Sequence, residues 1–243
     1  MMKKICIIGI GLIGGSLAKA IKKTHQSEIV FGYGRNSSRL EKAKKSNVID
    51  QYSTDIGVAL DGAKIVIIAT PVGSYESILE KIKPHIAKDM AISDVGSTKV
   101  SVVEAIKAVF DDGLDNFIPA HPIAGKEKSG FEVSDADLFI NKKVIITPLE
   151  NNNPESIKML AKMWEGVGAE VDFMTPQSHD DLLGMTSHLP HMLAFSLVNY
   201  LISQHPEASV YAAGGFKDFS RIASGDAIMW RDICLHNRDA IIA

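Results

Sequence analysis

The run Gly9-Ile10-Gly11-Leu12-Ile13-Gly14 constrains this chain more than any other. It stands between an apolar segment, Lys4 to Ile8, and a helical pattern, Leu12 to Lys23. A strand, a G-x-G-x-x-G turn and a helix in that order form a dinucleotide-binding fingerprint. The first glycine permits the tight turn and the second lets backbone approach a pyrophosphate. The third lets helix and strand pack closely, and the helix N-terminus faces the phosphates.

Further strands are expected at Glu28–Tyr33, Lys64–Ala69, Met90–Ser93, Asn116–Ala120 and Lys143–Thr147, with a short one at Val171. Helices are expected at Ser38–Lys45, Tyr75–Ile82, Lys99–Phe110 and Glu155–Gly166. Apolar residues run continuously through the strands, which implies burial on both faces of a parallel sheet. After Thr175-Pro176 only helical patterns follow: His179–Ile202 with a break at Pro190, then Pro206–Ala213, Phe216–Ala223 and Ala227–Ile242. The expected architecture is α/β: a Rossmann-type, mostly parallel sheet domain over residues 1–172, then an all-helical dimerisation domain over 173–243. The apolar, mid-helix run Asp239–Ala243 suits a surface covered by a partner.

Composition narrows the function. Hydrophobic residues make up 46% and charged residues 23%, so material for a core is ample. A net charge of −3 without like-charge blocks argues against nucleic acid or anionic membrane as partner. Cys6 and Cys234 form neither a disulfide framework nor a zinc pattern. The N-terminal apolar run leads directly into the fingerprint and reads as a strand rather than a signal peptide. No apolar stretch reaches membrane-spanning length, and the cytoplasm is the expected location.

The end of the second strand bears on the cofactor. An acidic residue about 20 positions past the fingerprint would bind a ribose 2′-hydroxyl and mark NAD. Here Gly34-Arg35-Asn36 stands instead. Arg35 either pairs with a 2′-phosphate or is a solvated charge; NADP is favoured, with NAD possible. Ala69-Thr70-Pro71 ends another strand and is expected to flank the nicotinamide.

Chemistry is sought at the other strand ends. His121 follows the expected strand Asn116–Ala120, ahead of Pro122 and Gly125, and is the best-placed proton acceptor. Ser97, in Asp94-Val95-Gly96-Ser97-Thr98-Lys99, either caps the following helix or faces the cleft. Lys99 is a substrate-side cation or a plain first-turn lysine. His188 and His191 are three apart and share a face on a regular helix, but no recognisable metal pattern surrounds them. One is expected to touch substrate, the other to make a structural hydrogen bond. Arg221, after Gly214-Gly215, offers a planar fork to a carboxylate or to a salt bridge, with Asp218 a candidate partner. Trp230 packs or walls the pocket.

Together, the fingerprint, Asp94–Lys99, His121-Pro122-Ile123-Ala124-Gly125, Ser187-His188-Leu189-Pro190-His191 and Gly215–Arg221 resemble the prephenate dehydrogenase family, including arogenate and cyclohexadienyl dehydrogenases. The matches keep the family's order and cover nearly the whole chain. The resemblance implies oxidative decarboxylation of prephenate or arogenate on the route to tyrosine, in a homodimer. It implies that His121 accepts the ring 4-hydroxyl proton while Ser97 supports that hydroxyl. It further implies that His191 lines the substrate pocket, that Arg221 binds a substrate carboxylate beside Gly214, and that Glu127 and Asp218 form an ionic gate. Arg35 departs from NAD-preferring members. The segment is shorter than most members and includes no mutase or regulatory domain, so feedback by tyrosine is not implied. The alternatives are another NADP-linked dehydrogenase of the 3-hydroxyacid type, which would rest on a catalytic lysine, or a non-enzymatic dinucleotide sensor.

Overall fold

A computed structural model describes every residue of the chain except Asp112 and Ala212. Strand β1 (Met2–Ile8) leads into helix α1 (Leu12–Lys23), as the fingerprint predicts. There follow β2 (Ser27–Tyr33), α2 (Ser37–Lys45), β3 (Gln51–Ser53), α3 (Ile56–Leu60), β4 (Ile65–Ile68) and α4 (Tyr75–Ile82). Next come β5 (Ala91–Asp94), α5 (Val100–Val109) and β6 (Phe117–Ile118). These six strands form one parallel sheet in the order β3-β2-β1-β4-β5-β6. The order reverses between β1 and β4, and ligands of such sheets bind beyond the strand ends at that crevice.

Alternation along each strand divides the core. Ile5, Ile7, Ile65 and Ile67 face one layer, while Cys6, Ile8, Val66 and Ile68 face the other. The first layer packs α1 and α6 (Pro154–Gly166), with Trp164 edge-on to Phe139. The second packs α3, α4 and α5. Burial on both faces explains why these strands read as continuous apolar runs.

Three expectations need correction. Asn116–Ala120 is not one strand. Pro119 has no amide hydrogen to donate, and the chain leaves the large sheet there. It re-forms as β7 (Ala120–Pro122), in a smaller sheet with β8 (Lys143–Ile146, antiparallel to it) and β9 (Glu170–Phe173). His121 therefore lies inside β7, beyond the carboxyl end of β6, rather than after a strand. Second, β3 and α3 are too short to produce a periodic signal and went unpredicted. Third, the break in the long helical segment lies ahead of Pro190. Helix α7 (Pro176–Leu183) passes through a π turn, Gly184–His188, into α8 (Leu189–Gln204), and Pro190 sits in the first turn of α8. A first-turn amide has no intrahelical partner, so proline is tolerated there.

Pro206–Tyr211 forms 3-10 turns, and the rest of that expected helical stretch includes Ala212, outside the described residues. Helix α9 (Gly214–Arg221) follows, then α10 (Ala227–His236) and α11 (Arg238–Ile242), separated at Asn237. The α8 helix buries only Ala194 and leaves Met192, Leu193, Leu197, Tyr200 and Ile202 exposed. Among the described residues no helix is long and apolar enough to cross a membrane.

The fingerprint geometry is testable. Gly9 has φ of 98°, and a Cβ there would meet the Ala69 carbonyl oxygen at 2.6 Å. A Cβ on Gly14 would lie 2.1 Å from the Gly9 carbonyl oxygen. Gly14→Ala is expected to force α1 away from β1, costing about 1–3 kcal/mol as overpacking does. Urea unfolding should show the loss, and a dinucleotide fluorescence titration should show weakened binding.

Candidate active site

The site is built where β4, β5 and β7 end against the helical segment. Its foundation is Asp94, the last residue of β5, fully buried with Lys99. The Lys99 ammonium donates to Asp94 Oδ2 at 2.5 Å and to the Ala120 carbonyl at 2.8 Å. Asp94 also accepts from Tyr75 Oη at 3.1 Å, Gly96 N at 2.8 Å and Ala120 N at 3.0 Å. Burial pushes the Lys99 amine below its ordinary range, opposed by the attraction of Asp94. Lys99 is thus neither a substrate-side cation nor a plain first-turn lysine. It is an internal tie between β5 and the residue preceding His121.

Ser97 lies between these anchors, partly exposed, and its hydroxyl does not cap α5. That cap comes from elsewhere. Asp180, on α7, accepts from Lys99 N and Val100 N, both at 2.8 Å. Its neighbour His179 places Nδ1 2.7 Å from Asp180 Oδ1 and Nε2 2.9 Å from His121 Nδ1. Burial, then the nearby His179, Lys99 and His188, hold the His121 imidazole well below the ordinary histidine range. It is therefore neutral at physiological pH and able to accept a proton.

Neither His179 nor Asp180 stood out in the sequence. They form a His-Asp pair two turns ahead of the histidine-rich motif, and only the fold aims them at His121. Asn237 was also missed. Its amide nitrogen donates to the Asp180 carbonyl and lies 2.8 Å from His188 Nδ1, fastening the helix break at 237 to the site. His188 is buried, and its pKa is pushed down by that burial to about 4. His191 lies 2.8 Å from the Ser187 carbonyl through Nδ1 and stacks on Trp230 at 3.6 Å between centroids. The two histidines differ in setting: His188 is buried beside Asn237, and His191 is partly exposed.

Arg221, at the end of α9, pairs with Glu127 at 2.7 Å rather than with Asp218. Both are exposed, and the pair joins the loop after β7 to the helical segment. Asp218 lies close enough to help raise the Arg221 pKa, after the larger effect of Glu127. Gly214 starts α9 with open space where a Cβ would stand. Among the described residues, no group of three or more His, Cys, Asp or Glu is placed to hold a metal ion.

The fingerprint residues fit a dinucleotide. A Cβ on Gly11 would meet nothing within 4 Å, so its backbone stands open. Ile10 is buried, and Leu12 and Ile13 are partly so. Ala69, Thr70 and Pro71 border the same crevice across from Gly9, with Thr70 Oγ1 accepting from Ser74. Arg35 is exposed just beyond β2. The Asn36 carboxamide accepts from Arg39 N and caps α2.

Comparison with known proteins places the chain in a family. Residues 17–173 match the prephenate dehydrogenase nucleotide-binding domain, and residues 175–243 match the prephenate dehydrogenase dimerization domain. The chain belongs to the prephenate dehydrogenase family. Cyclohexadienyl dehydrogenase of Zymomonas mobilis is 34% identical over 100% of this chain and 83% of that protein. Prephenate dehydrogenase of Bacillus subtilis is 37% identical over 100% of this chain, which spans 66% of that protein. Among solved structures, prephenate dehydrogenase from Aquifex aeolicus in complex with hydroxyphenyl propionate and NAD+ superposes with a TM-score of 0.92. It is 37% identical and covers 100% of this chain and 85% of its own. Synechocystis arogenate dehydrogenase gives 0.82 at 30% identity, covering 98% and 85%. The chain is accordingly an oxidoreductase that uses a nicotinamide dinucleotide.

Lys99→Met should leave Asp94 charged and unpaired in the interior. Breaking a buried pair from one side costs about 3–5 kcal/mol. Chemical denaturation should register that loss, and the double variant with Asp94→Asn should recover part of it.

Proposed function

We propose that this chain oxidatively decarboxylates prephenate or arogenate, giving 4-hydroxyphenylpyruvate or tyrosine, with NADP the favoured cofactor. Neutral His121, fastened from behind and set beyond β6 at the cofactor end of the sheet, carries the reading. The cofactor, when bound, supplies the hydride acceptor. Gly9 and Gly11 would border its pyrophosphate, with Gly14 letting α1 close on β1, and Arg35 would pair with a 2′-phosphate, Gly34-Arg35-Asn36 at the β2 end having no carboxylate to repel it.

The chain's own residues then have limited tasks. Arg221 leaves Glu127 to bind a substrate carboxylate by its planar fork. Ser97 supports the ring hydroxyl, His191 lines the pocket against Trp230, and Gly214 lets the substrate pass close to α9. Glu127 and Asp218 act as the ionic gate. His121 takes the 4-hydroxyl proton as hydride leaves C4. Loss of carbon dioxide sends its bonding electrons into the ring, leaving a phenolate oxygen. That oxygen takes the proton back from His121, so no net proton is released from the ionised substrate. Aromatisation makes the step downhill, and the protein mainly aligns groups and moves one proton.

A lysine-based 3-hydroxyacid dehydrogenase is less well supported, because Lys99 is committed to Asp94 and Ala120. We also propose a division between the two domains at 172/173, and a homodimer assembled through the exposed apolar face of α8, which lies in the part matching the dimerization domain.

Reduction of NADP and NAD should be followed with prephenate and with arogenate in parallel. Absence of reduced cofactor in all four combinations overturns the reading. His121→Asn is expected to lower kcat about 10²–10⁴-fold with cofactor affinity retained. The depressed His121 pKa keeps the accepting form present through neutrality. For the unmodified protein kcat/KM should therefore stay level from pH 8 down through 6.5 with respect to this group, and fall only in stronger acid. Arg221→Gln should instead raise KM for substrate, and an unchanged KM would remove its carboxylate role.

A further inference from the structure

Two buried side chains behind His121 have no part in the reaction as written above. His179 lies between the His121 ring and the Asp180 carboxylate, within hydrogen-bond distance of both. A carboxylate only accepts, so His179 donates from Nδ1. A neutral imidazole carries one N–H, so His179 Nε2 is a lone pair and accepts from His121 Nδ1. That leaves the His121 lone pair on Nε2.

We propose that His179 and Asp180 are positioning residues. They hold His121 as the Nδ1–H tautomer with Nε2 as the proton acceptor, and they take up the positive charge that turnover places there. The inference rests on His121 being the base. When Nε2 gains the hydroxyl proton, the Nδ1–H of His121 passes to His179 Nε2. One N–H forms at His121, one breaks there, and one forms at His179. His121 is neutral again, and the imidazolium now adjoins the Asp180 carboxylate. The transfers reverse when the phenolate recovers its proton. Because that proton is lent rather than released, a relay closed off from solvent suffices.

The surroundings suit this role. The carboxylate is aimed by two further donors, Lys99 N and Val100 N, at the positive end of α5. His179 and Asp180 are both buried, so solvent cannot replace the missing contacts. The other titratable groups around the relay are Lys99 and Asp94, paired to each other, Tyr75 on α4, bonded to Asp94, and His188 on the π turn, bonded to Asn237.

The test reads the tautomer directly. In histidine-¹⁵N-labelled full-length protein without substrate at pH 7.5, His121, assigned through His121→Asn, should show a protonated Nδ1 and a bare Nε2. Asp180→Asn removes the negative charge that steadies the His179 imidazolium, whichever way its amide is turned. Where its nitrogen takes the Oδ1 place it also opposes His179 Nδ1–H and Lys99 N, and the His121 proton then shifts onto Nε2. The kcat of this variant should fall on the order of 10³–10⁴-fold while substrate KM changes little, as when a catalytic histidine is held in the wrong tautomer. His179→Gln offers an accepting oxygen to His121 but cannot carry the proton. It should keep the His121 tautomer and lose less activity than Asp180→Asn. A purely structural role would lower the melting temperature and cofactor affinity without moving the His121 nitrogen shifts. A wild-type His121 protonated at Nε2 overturns the proposal even if the variants do not fold, and so does folded Asp180→Asn with normal kcat. If the wild type oxidises neither substrate, the functional reading fails, whereas the tautomer assignment still stands or falls by the spectra.

Discussion

The buried pair of Lys99 and Asp94 is the joint on which the site depends. A charge inside a protein is tolerated only when its partner and its remaining hydrogen bonds are supplied. Here each is. The carboxylate collects the Lys99 ammonium, the Tyr75 hydroxyl and the amides of Gly96 and Ala120, and the ammonium returns to the Ala120 carbonyl. Both backbone groups of Ala120 are thus bound by this pair, the amide by Asp94 and the carbonyl by Lys99. The chain can leave the large sheet at Pro119 and start a second sheet one residue later without losing its place. His121, the next residue, inherits that position.

From the same joint the helical segment is secured. The last residue before α5 is Lys99, and its amide, with that of Val100, is capped by Asp180 from α7. Asn237 then ties the break between α10 and α11 to Asp180 and His188. Helix-terminal amides otherwise need water or a local side chain. Using a carboxylate from the helical segment makes cap and domain contact the same interaction. The histidine cluster therefore stays registered against the cofactor end of the sheet, while the exposed pair of Glu127 and Arg221 crosses between the same two parts with far less burial. Exposed pairs contribute little to stability, so the proposed opening of this contact would cost the fold little.

Much of this was legible beforehand. The fingerprint specified the end of β1, the turn and α1 to the residue, because glycine spacing is a local backbone requirement, while β1 starts two residues earlier than expected, at Met2. The helix Tyr75–Ile82 was equally readable from its amphipathic period. Continuous apolar runs located the buried parallel strands within about a residue. The family's motifs named His121, Ser97, His191 and Arg221. What periodicity missed was short or long-range: β3 and α3 offer too few residues for a pattern, and the split at Pro119 depends on which sheet receives the next strand. The π turn at Gly184–His188 also escaped, since a single extra residue per turn leaves no mark in a helical sequence.

By itself the sequence determined the fold class and the strand–turn–helix fingerprint, which follow from local spacing, and its motifs pointed to the family. Tertiary structure alone decided the partners of the site's side chains. Lys99 looks like a surface cation in sequence and becomes an interior tie because Asp94 and Ala120 meet it across two strands. Arg221 pairs with Glu127 rather than with Asp218, nearer in sequence, because the loop after β7 crosses to α9. His179 and Asp180 carry no motif, yet α7 brings them behind His121 from 58 residues away. Long-range packing sets such pairings, and no local pattern encodes the distance between side chains on different elements.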